Sequence, residues 1–358
     1  MYYNNRDVRL ENIPVPEISR DEILVKVKAG GICGSDVLEW YRVKRAPLVL
    51  GHEITGVIEK VGERARPYSD LGAESRPAHT VVGAGGGVTK YKPGQRVFVS
   101  HHVPCNKCRY CLKGHHTACE TLHTTNYFPG GFSEYIRVPA INVKHGIFVL
   151  PDEISFEEGT FIEPLACVVR GQRLAGFKSG ETVVILGSGI SGILHLLLAR
   201  ARGAKRVIMT DVNKYRMEAA KRFGADAVIN AGERVPDKIR ELNEGVLADL
   251  VIVCTGALPA FKQALECADR GGTILFFAAT EPGVTVPVPA NEFWRNEMKL
   301  LTSYANSPDD AREAIELIKS GIVKVRGMIT HRLSLEEARK GFGLVAEAKD
   351  SIKVILAP

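Results

Sequence analysis

Residues Thr182–Gly192 read TVVILGSGISG: a β-branched run, a Gly-x-Gly-x-x-Gly turn, and then the leucine-rich stretch ILHLLLAR at helical period. An acid, Asp211, stands 19 residues beyond Gly192 at the end of the next apolar run, RVIMTD. Strand, glycine turn, helix and distal acid together form a dinucleotide-binding fingerprint, which the glycines alone would not. Gly187 permits the tight turn, Gly189 lets the backbone approach a pyrophosphate, and Gly192 lets helix and strand pack closely, with Ile190 opening the helix whose N-terminus attracts the anion. Asp211 is placed to accept hydrogen bonds from the adenosine ribose hydroxyls and to repel a 2′-phosphate, so NAD is expected in preference to NADP. Lys214 and Arg216 follow closely and soften that discrimination.

Outward from this stretch, β-branched runs alternate with helical periods up to Phe277: KYRMEAAKRFG, AVIN, DLVIVC, AFKQALECADRG and TILFFA. Such alternation predicts α/β architecture, a doubly wound parallel Rossmann sheet. Thr182 to Ala199 has 18 positions without Asp, Glu, Lys or Arg, near the lower limit of a membrane span. Gly187 and Gly189 break it into strand, turn and helix, so no membrane association is expected. The first third differs. Glu22–Val27, Ile54–Val61 and Arg96–Val99 read as short strands between Gly and Pro, a mostly β region. The tail holds helical periods at Asp309–Lys319 and Ser334–Ala348 and a closing strand, Ile352–Leu356, which we return to the first domain. The expected division is therefore 1–152 with 293–358, and 153–292 for the Rossmann domain. Between Glu63 and Val88 lies a long Gly-, Ala- and Pro-rich segment without a period, read as a loop.

With 358 residues, 47 Lys plus Arg against 41 Asp plus Glu, the net charge of +6 is small and spread along the chain. No nucleic-acid footprint is concentrated on one stripe. The opening residues MYYNNRDVRLENIPVPE carry both signs of charge without an apolar run, so a cytoplasmic setting is expected. The eight cysteines are unevenly placed: Cys105, Cys108, Cys111 and Cys119 cluster, with gaps of two, two and seven residues. Four soft thiolates on a short lobe, about 100–120, suit a closed tetrahedral zinc site. An iron–sulfur cluster is the rival, although bacterial ferredoxins have a three-residue third gap and a following proline, where this chain has Glu120. A second set is dispersed: Cys33 in GICGSD, His52 and Glu53 in LGHEITG, and Glu163 in FIEPLAC. It offers the mixed sulfur, nitrogen and oxygen ligands of an open catalytic zinc site.

GICGSD, GHE, the four-cysteine lobe, GGFSEYIRVP (Gly130–Pro139), EPL (Glu163–Leu165), the glycine loop and THRLSLEEA (Thr330–Ala338) resemble the zinc-containing medium-chain alcohol dehydrogenase family, in its polyol (sorbitol-type) and threonine dehydrogenase branch. The resemblance runs from about Arg9 to the C-terminus. It implies a GroES-like β-rich catalytic domain built from both chain ends beside the Rossmann domain. It implies two Zn2+ per chain, one at Cys33, His52 and the carboxylates Glu53 and Glu163, the other in the lobe. Asp36 matches an acid that orients the histidine ligand, and Ser35 a hydroxyl that bonds the substrate oxygen and begins a proton relay. Thr255 and Gly256, at the end of the strand DLVIVC, and Ala278, near the end of the following strand, are candidates for nicotinamide contacts, and Trp40, Tyr41 and Tyr304 for the substrate pocket. The implied reaction is reversible oxidation of a secondary alcohol or polyol to a ketone, with a homotetramer or homodimer expected.

Several positions depart from that pattern. Leu38 stands where many relatives carry a relay histidine, so the proton must leave through water, the cofactor ribose or Glu163. The stretch LTSYANS offers Ser303 and Tyr304 in place of an Arg-Tyr pair, and Gln95 replaces a turn acid. His101 and His102, just before the lobe, are structural or substrate-cleft residues on this reading. L-threonine 3-dehydrogenase is the alternative activity. A zinc-binding or redox-sensing member without catalysis is the alternative of a different class.

Overall fold

The computed structural model describes residues 1–67 and 90–358. The segment from Glu63 to Val88 therefore lies mostly outside the described residues. The chain divides into two compact units, Met1–Ala166 with Ala305–Ser320 and Val325–Pro358, and Cys167–Tyr304 with Gly321–Lys324. These bounds fall later than 152/153 and 292/293. The helix Ile162–Leu174 carries the first boundary within it, and residues 293–304 stay with the second unit because they supply its last strand.

In chain order the first unit opens with a short pair, β1 (Tyr2–Asn4) and β2 (Asp7–Val8), followed by β3 (Ile23–Gly31), β4 (Glu53–Val61), β5 (Arg96–Val99), β6 (Tyr135–Val138) and β7 (Ile147–Val149). The second unit contributes β8 (Thr182–Leu186), β9 (Arg206–Asp211), β10 (Ala227–Asn230), β11 (Ala248–Val253), β12 (Ala268–Phe276) and β13 (Lys299–Thr302). The tail returns to the first unit with β14 (Ile329–Ser334) and β15 (Lys353–Ala357).

The first unit's sheet runs β14-β15-β3-β4-β5-β7, with β6 pairing β3. Apolar side chains that alternate along its strands, among them Ile23, Val25, Val27, Ile54, Ile58, Val97 and Val99, meet in one core. Antiparallel register sets Glu53 opposite Gly31 and Ile54 opposite Val99. The starts of β4 and the end of β5 thus lie side by side, next to the turn that leaves β3.

The second unit is a six-stranded parallel sheet in the order β10-β9-β8-β11-β12-β13. Strand order reverses direction between β8 and β11, the point where parallel sheets open a crevice at their carboxyl ends. Buried Val183–Leu186 and Leu250–Val253 fill both faces with β-branched and leucine side chains, as a sheet covered on two sides requires. One stretch departs from its sequence reading. ADRG, read as the end of a helix, starts β12, because the helix stops at Cys267 and Ala268 pairs with Ala248.

Gly192 faces the Gly187 carbonyl so closely that a Cβ would collide with it. Gly192→Ala must shift the helix Ile190–Ala201 away from β8. We expect it to lower the unfolding free energy by about 1–3 kcal/mol through overpacking, read as a lower urea midpoint at unchanged slope.

Candidate active site and metal centres

The turn after β3 brings Cys33 to the sheet's end, and β4 begins with Glu53, directly after His52. Ligand atoms of Cys33, His52 and Glu53 all lie within 4.8 Å of one another. His52 Nδ1 sits 3.3 Å from Asp36 Oδ1, which fixes the ring and leaves Nε2 as the free ligand atom, the usual outer support of a metal-bound histidine. Asp36 is fully buried, and its other oxygen accepts from Cys33 N at 3.1 Å. Burial works against charge on both partners. The pair wins: Asp36 and Cys33 raise His52 well above its ordinary range, and His52 with Arg42 lowers Asp36.

Ser35 touches Cys33 Sγ through both its backbone N and its Oγ, each at 3.4 Å. Arg42, on the short helix Glu39–Arg42, donates to Ser35 O (3.0 Å), Ser35 Oγ (3.2 Å) and Asp36 Oδ1 (3.4 Å). Trp40 and Tyr41 on the same helix are half-buried, with ring centroids 5.8 Å apart, and Arg42 lies over the Tyr41 ring.

Glu53 is buried, and its Oε2 bonds the Nζ of Lys353, itself fully buried on β15 and 5.3 Å above the Phe161 ring. Its Oε1 is buried without a partner. An orphaned carboxylate oxygen beside a thiol and an imidazole nitrogen fits a cation, since an anion oxygen left alone in the interior is costly. Glu163 does not lie within the same 4.8 Å spacing of all three ligands. It is buried in the first turn of its helix, where Asn306 Nδ2 donates to its Oε1 at 3.2 Å.

The lobe cysteines form the second group within 4.8 Å, with Sγ–Sγ distances of 3.5 Å (Cys108–Cys111 and Cys105–Cys119) and 4.0 Å (Cys105–Cys111). A tetrahedral ion about 2.3 Å from each sulfur sets them about 3.8 Å apart, whereas a disulfide needs about 2.05 Å. Spacing of this kind fits one ion shared by four thiolates. Backbone N–H groups of Cys105 and Cys108 point at Cys119 Sγ and Cys105 Sγ. Burial pushes the Cys119 thiol up, and the backbone N–H groups of Cys105 and Leu122 bring it down to about 6.

In the second unit the glycine turn, Cys254–Gly256 and Ala278 converge at the carboxyl ends of β8, β11 and β12. A Cβ on Gly187 would lie 3.2 Å from the Cys254 carbonyl carbon, and Ala278 N donates to Val253 O at 2.9 Å. Asp211 ends β9 and accepts from Ser188 N (2.8 Å) and Asn213 N (2.9 Å). Arg216 extends over Gly189, its Nη1 3.6 Å from where a Cβ would stand, and its Nε is buried without a partner. Tyr304, the last residue of the second unit's main segment, is 49% exposed.

The alcohol dehydrogenase GroES-like domain family matches residues 19–151, and the zinc-binding dehydrogenase family matches residues 192–320. The sorbitol dehydrogenase of Bacillus subtilis is 30% identical over 99% of this chain and 96% of its own length. The L-threonine 3-dehydrogenase of Bacillus licheniformis is 31% identical over 97% and 94%. A Sinorhizobium meliloti zinc-binding dehydrogenase, solved bound to NADP, superposes with a TM-score of 0.82 at 28% identity over 99% of this chain and 97% of that one. This chain belongs to the zinc-containing medium-chain alcohol dehydrogenase family. It is a zinc-dependent alcohol dehydrogenase that uses a nicotinamide cofactor. Among its described residues no helix is long and apolar enough to cross a membrane.

Three side chains of the dehydrogenase's site escape a reading of the sequence alone. Lys353 leaves one trace, a lone cation inside the apolar run IKVILA. Arg42 sits in the basic stretch YRVKR, where nothing separates it from its neighbours, and Asn306 carries no pattern at all. Lys353→Met leaves Glu53 buried without its cation, and breaking such a pair costs about 3–5 kcal/mol. The double variant Glu53→Gln/Lys353→Met recovers part of that loss. Denaturant unfolding of the two variants beside the parent checks both expectations.

Proposed function

We propose that the dehydrogenase reversibly oxidises a secondary alcohol in a vicinal diol or polyol to the ketone, with NAD preferred over NADP and two zinc ions per chain. The observation that carries this reading is the convergence of Cys33, His52 and Glu53 within 4.8 Å, with Asp36 on His52. Cys33 and His52 would hold the catalytic ion with a carboxylate, Glu53 or Glu163, and Cys105, Cys108, Cys111 and Cys119 would hold the structural one. When bound, the catalytic zinc supplies Lewis-acid stabilisation of negative charge on the substrate oxygen.

The protein's own groups handle the proton. Arg42 can only donate, so the hydrogen bond it gives Ser35 Oγ occupies one lone pair and turns the hydroxyl hydrogen toward Cys33 Sγ. The remaining lone pair of Ser35 Oγ accepts from the substrate hydroxyl. As Ser35 Oγ takes that proton, its own hydrogen must turn from Cys33 Sγ to the next acceptor, which, with Leu38 in place of a relay histidine, is water, the cofactor ribose or Glu163. The cofactor carries the hydride chemistry; Gly189 and Ile190 would receive its pyrophosphate, with Gly187 making the turn and Gly192 letting the helix pack on β8. Asp211 supports NAD, because its carboxylate would repel a 2′-phosphate, while Arg216 over Gly189 works in the opposite sense. Thr255, Gly256 and Ala278 would flank the nicotinamide. A homotetramer or homodimer in the cytoplasm, where lobe thiols stay reduced, completes the proposal.

An activity screen over diols, sugar alcohols, simple secondary alcohols and threonine, with NAD and NADP, tests it by following cofactor reduction. We expect diols or polyols with NAD to lead, and sole activity on threonine would replace the reading with the threonine one. Native mass measurement should find two zinc ions per chain and one in Cys33→Ala. Ser35→Ala should lower kcat/KM by about a hundredfold or more, the scale of a lost proton-transfer group.

A further inference from the structure

The register that sets Ile54 opposite Val99 continues past the strand ends to bring His101 beside His52, and their ring centroids lie 4.8 Å apart. His101 is not within the ligand spacing of the Cys33 group. Neither of its ring nitrogens has a hydrogen-bond partner among the described residues, and Nδ1 is sealed from water. The residue is nevertheless held firmly. Asn142, fully buried, donates to the carbonyls of Ser100 (3.0 Å) and His101 (2.8 Å). On the other side the His102 ring meets His101 edge-on at 3.9 Å, and His102 Nδ1 is anchored to the Leu122 carbonyl.

Nε2, unlike Nδ1, is not sealed, so it is the nitrogen a ligand's hydroxyl can reach. A ring held in place without a partner keeps that nitrogen ready for such a bond at little further ordering cost. An alcohol with one hydroxyl spends that group at the reacting centre beside His52 and Ser35. A vicinal diol brings a second oxygen about one hydrogen-bond length from the first. On the reading of the site given under Proposed function, we propose that His101 is a specificity-determining residue that hydrogen-bonds the neighbouring hydroxyl of a vicinal diol. Selectivity of this kind is strong because the analogue lacking the hydroxyl leaves the protein group unpaired.

The test compares butane-2,3-diol with butan-2-ol, which share a skeleton and differ by one hydroxyl, in the parent enzyme, His101→Phe and His101→Asn. His101→Phe keeps a planar ring without nitrogen. It should lower kcat/KM for the diol about tenfold, the scale of one lost hydrogen bond, and leave butan-2-ol within about threefold. His101→Asn, which keeps a donor and an acceptor, should recover part of the diol activity. Equal losses on both alcohols would assign His101 to packing alone and overturn the proposal, as would unchanged diol selectivity in both variants. Should His101→Phe fail to fold, the diol-to-alcohol ratio of His101→Asn decides: a ratio equal to the parent's overturns the proposal and a reduced one supports it. A parent enzyme active on threonine and on neither butanol compound would instead overturn the alcohol reading on which the proposal rests.

Discussion

The ion pair between Lys353 and Glu53 joins residues 300 positions apart and is sealed from water at both ends. Nothing in such a pair guarantees net stability, because desolvating two charges offsets most of their attraction. Its effect is positional. β15 must lie against β3, with Ile355 opposite Gly31, for the lysine to reach Glu53 at the start of β4. Gly31 is the opening through which it reaches, since a Cβ there would collide with Lys353 Nζ and Glu53 Oε2. The C-terminal return of the chain is thereby a condition for placing one carboxylate of the candidate metal group.

The charges around that group set a second constraint. Cys33, Asp36, Glu53 and Glu163, when ionised, bring four negative charges, and Arg42 and Lys353 bring two positive ones. A divalent cation, bound with His52 neutral as a ligand must be, would close the balance, which a low-dielectric interior demands far more strictly than water does. Tyr127 reports the same crowding. Its hydroxyl lies 3.4 Å from the Gly51 carbonyl, and burial together with Asp36, Glu163 and Glu53 pushes its pKa well above the phenolic range. Arg42 answers Asp36, Lys353 answers Glu53, and the buried Oε1 of Glu53 is left open to an ion.

What the sequence disclosed and what it concealed follow from the range of the interactions. The glycine turn with Asp211, the cysteine spacing, and the Cys33-x-Ser35-Asp36 and His52-Glu53 runs act over a few residues or within one βαβ unit, so their geometry is written in the local order. Alternating apolar residues likewise announced β3, β4 and β5, and β-branched runs announced β8 to β12. Lys353 on Glu53, Asn306 on Glu163 and Asn142 on His101 depend on strand register and chain return, which no local spacing encodes. The start of β12 was concealed for a different reason. ADRG continues the apolar and charged spacing of the preceding helix, and only pairing with β11 turns it into strand.

The lobe and the Cys33 group, separate in sequence, are joined by two short contacts. Leu122 packs with Cys111 and Cys119 in the lobe's small core, and its carbonyl anchors His102, whose ring braces His101. Ala305 packs on the same core, held in left-handed backbone at φ 51°, and the next residue, Asn306, holds Glu163. That backbone is uncommon for a non-glycine residue, and here the lobe packs against it. An ion held by the four thiolates would therefore fix more than the lobe. It would steady the imidazole on one side of the Cys33 group and the carboxamide that orients Glu163, so a closed centre would serve as the frame for an open one.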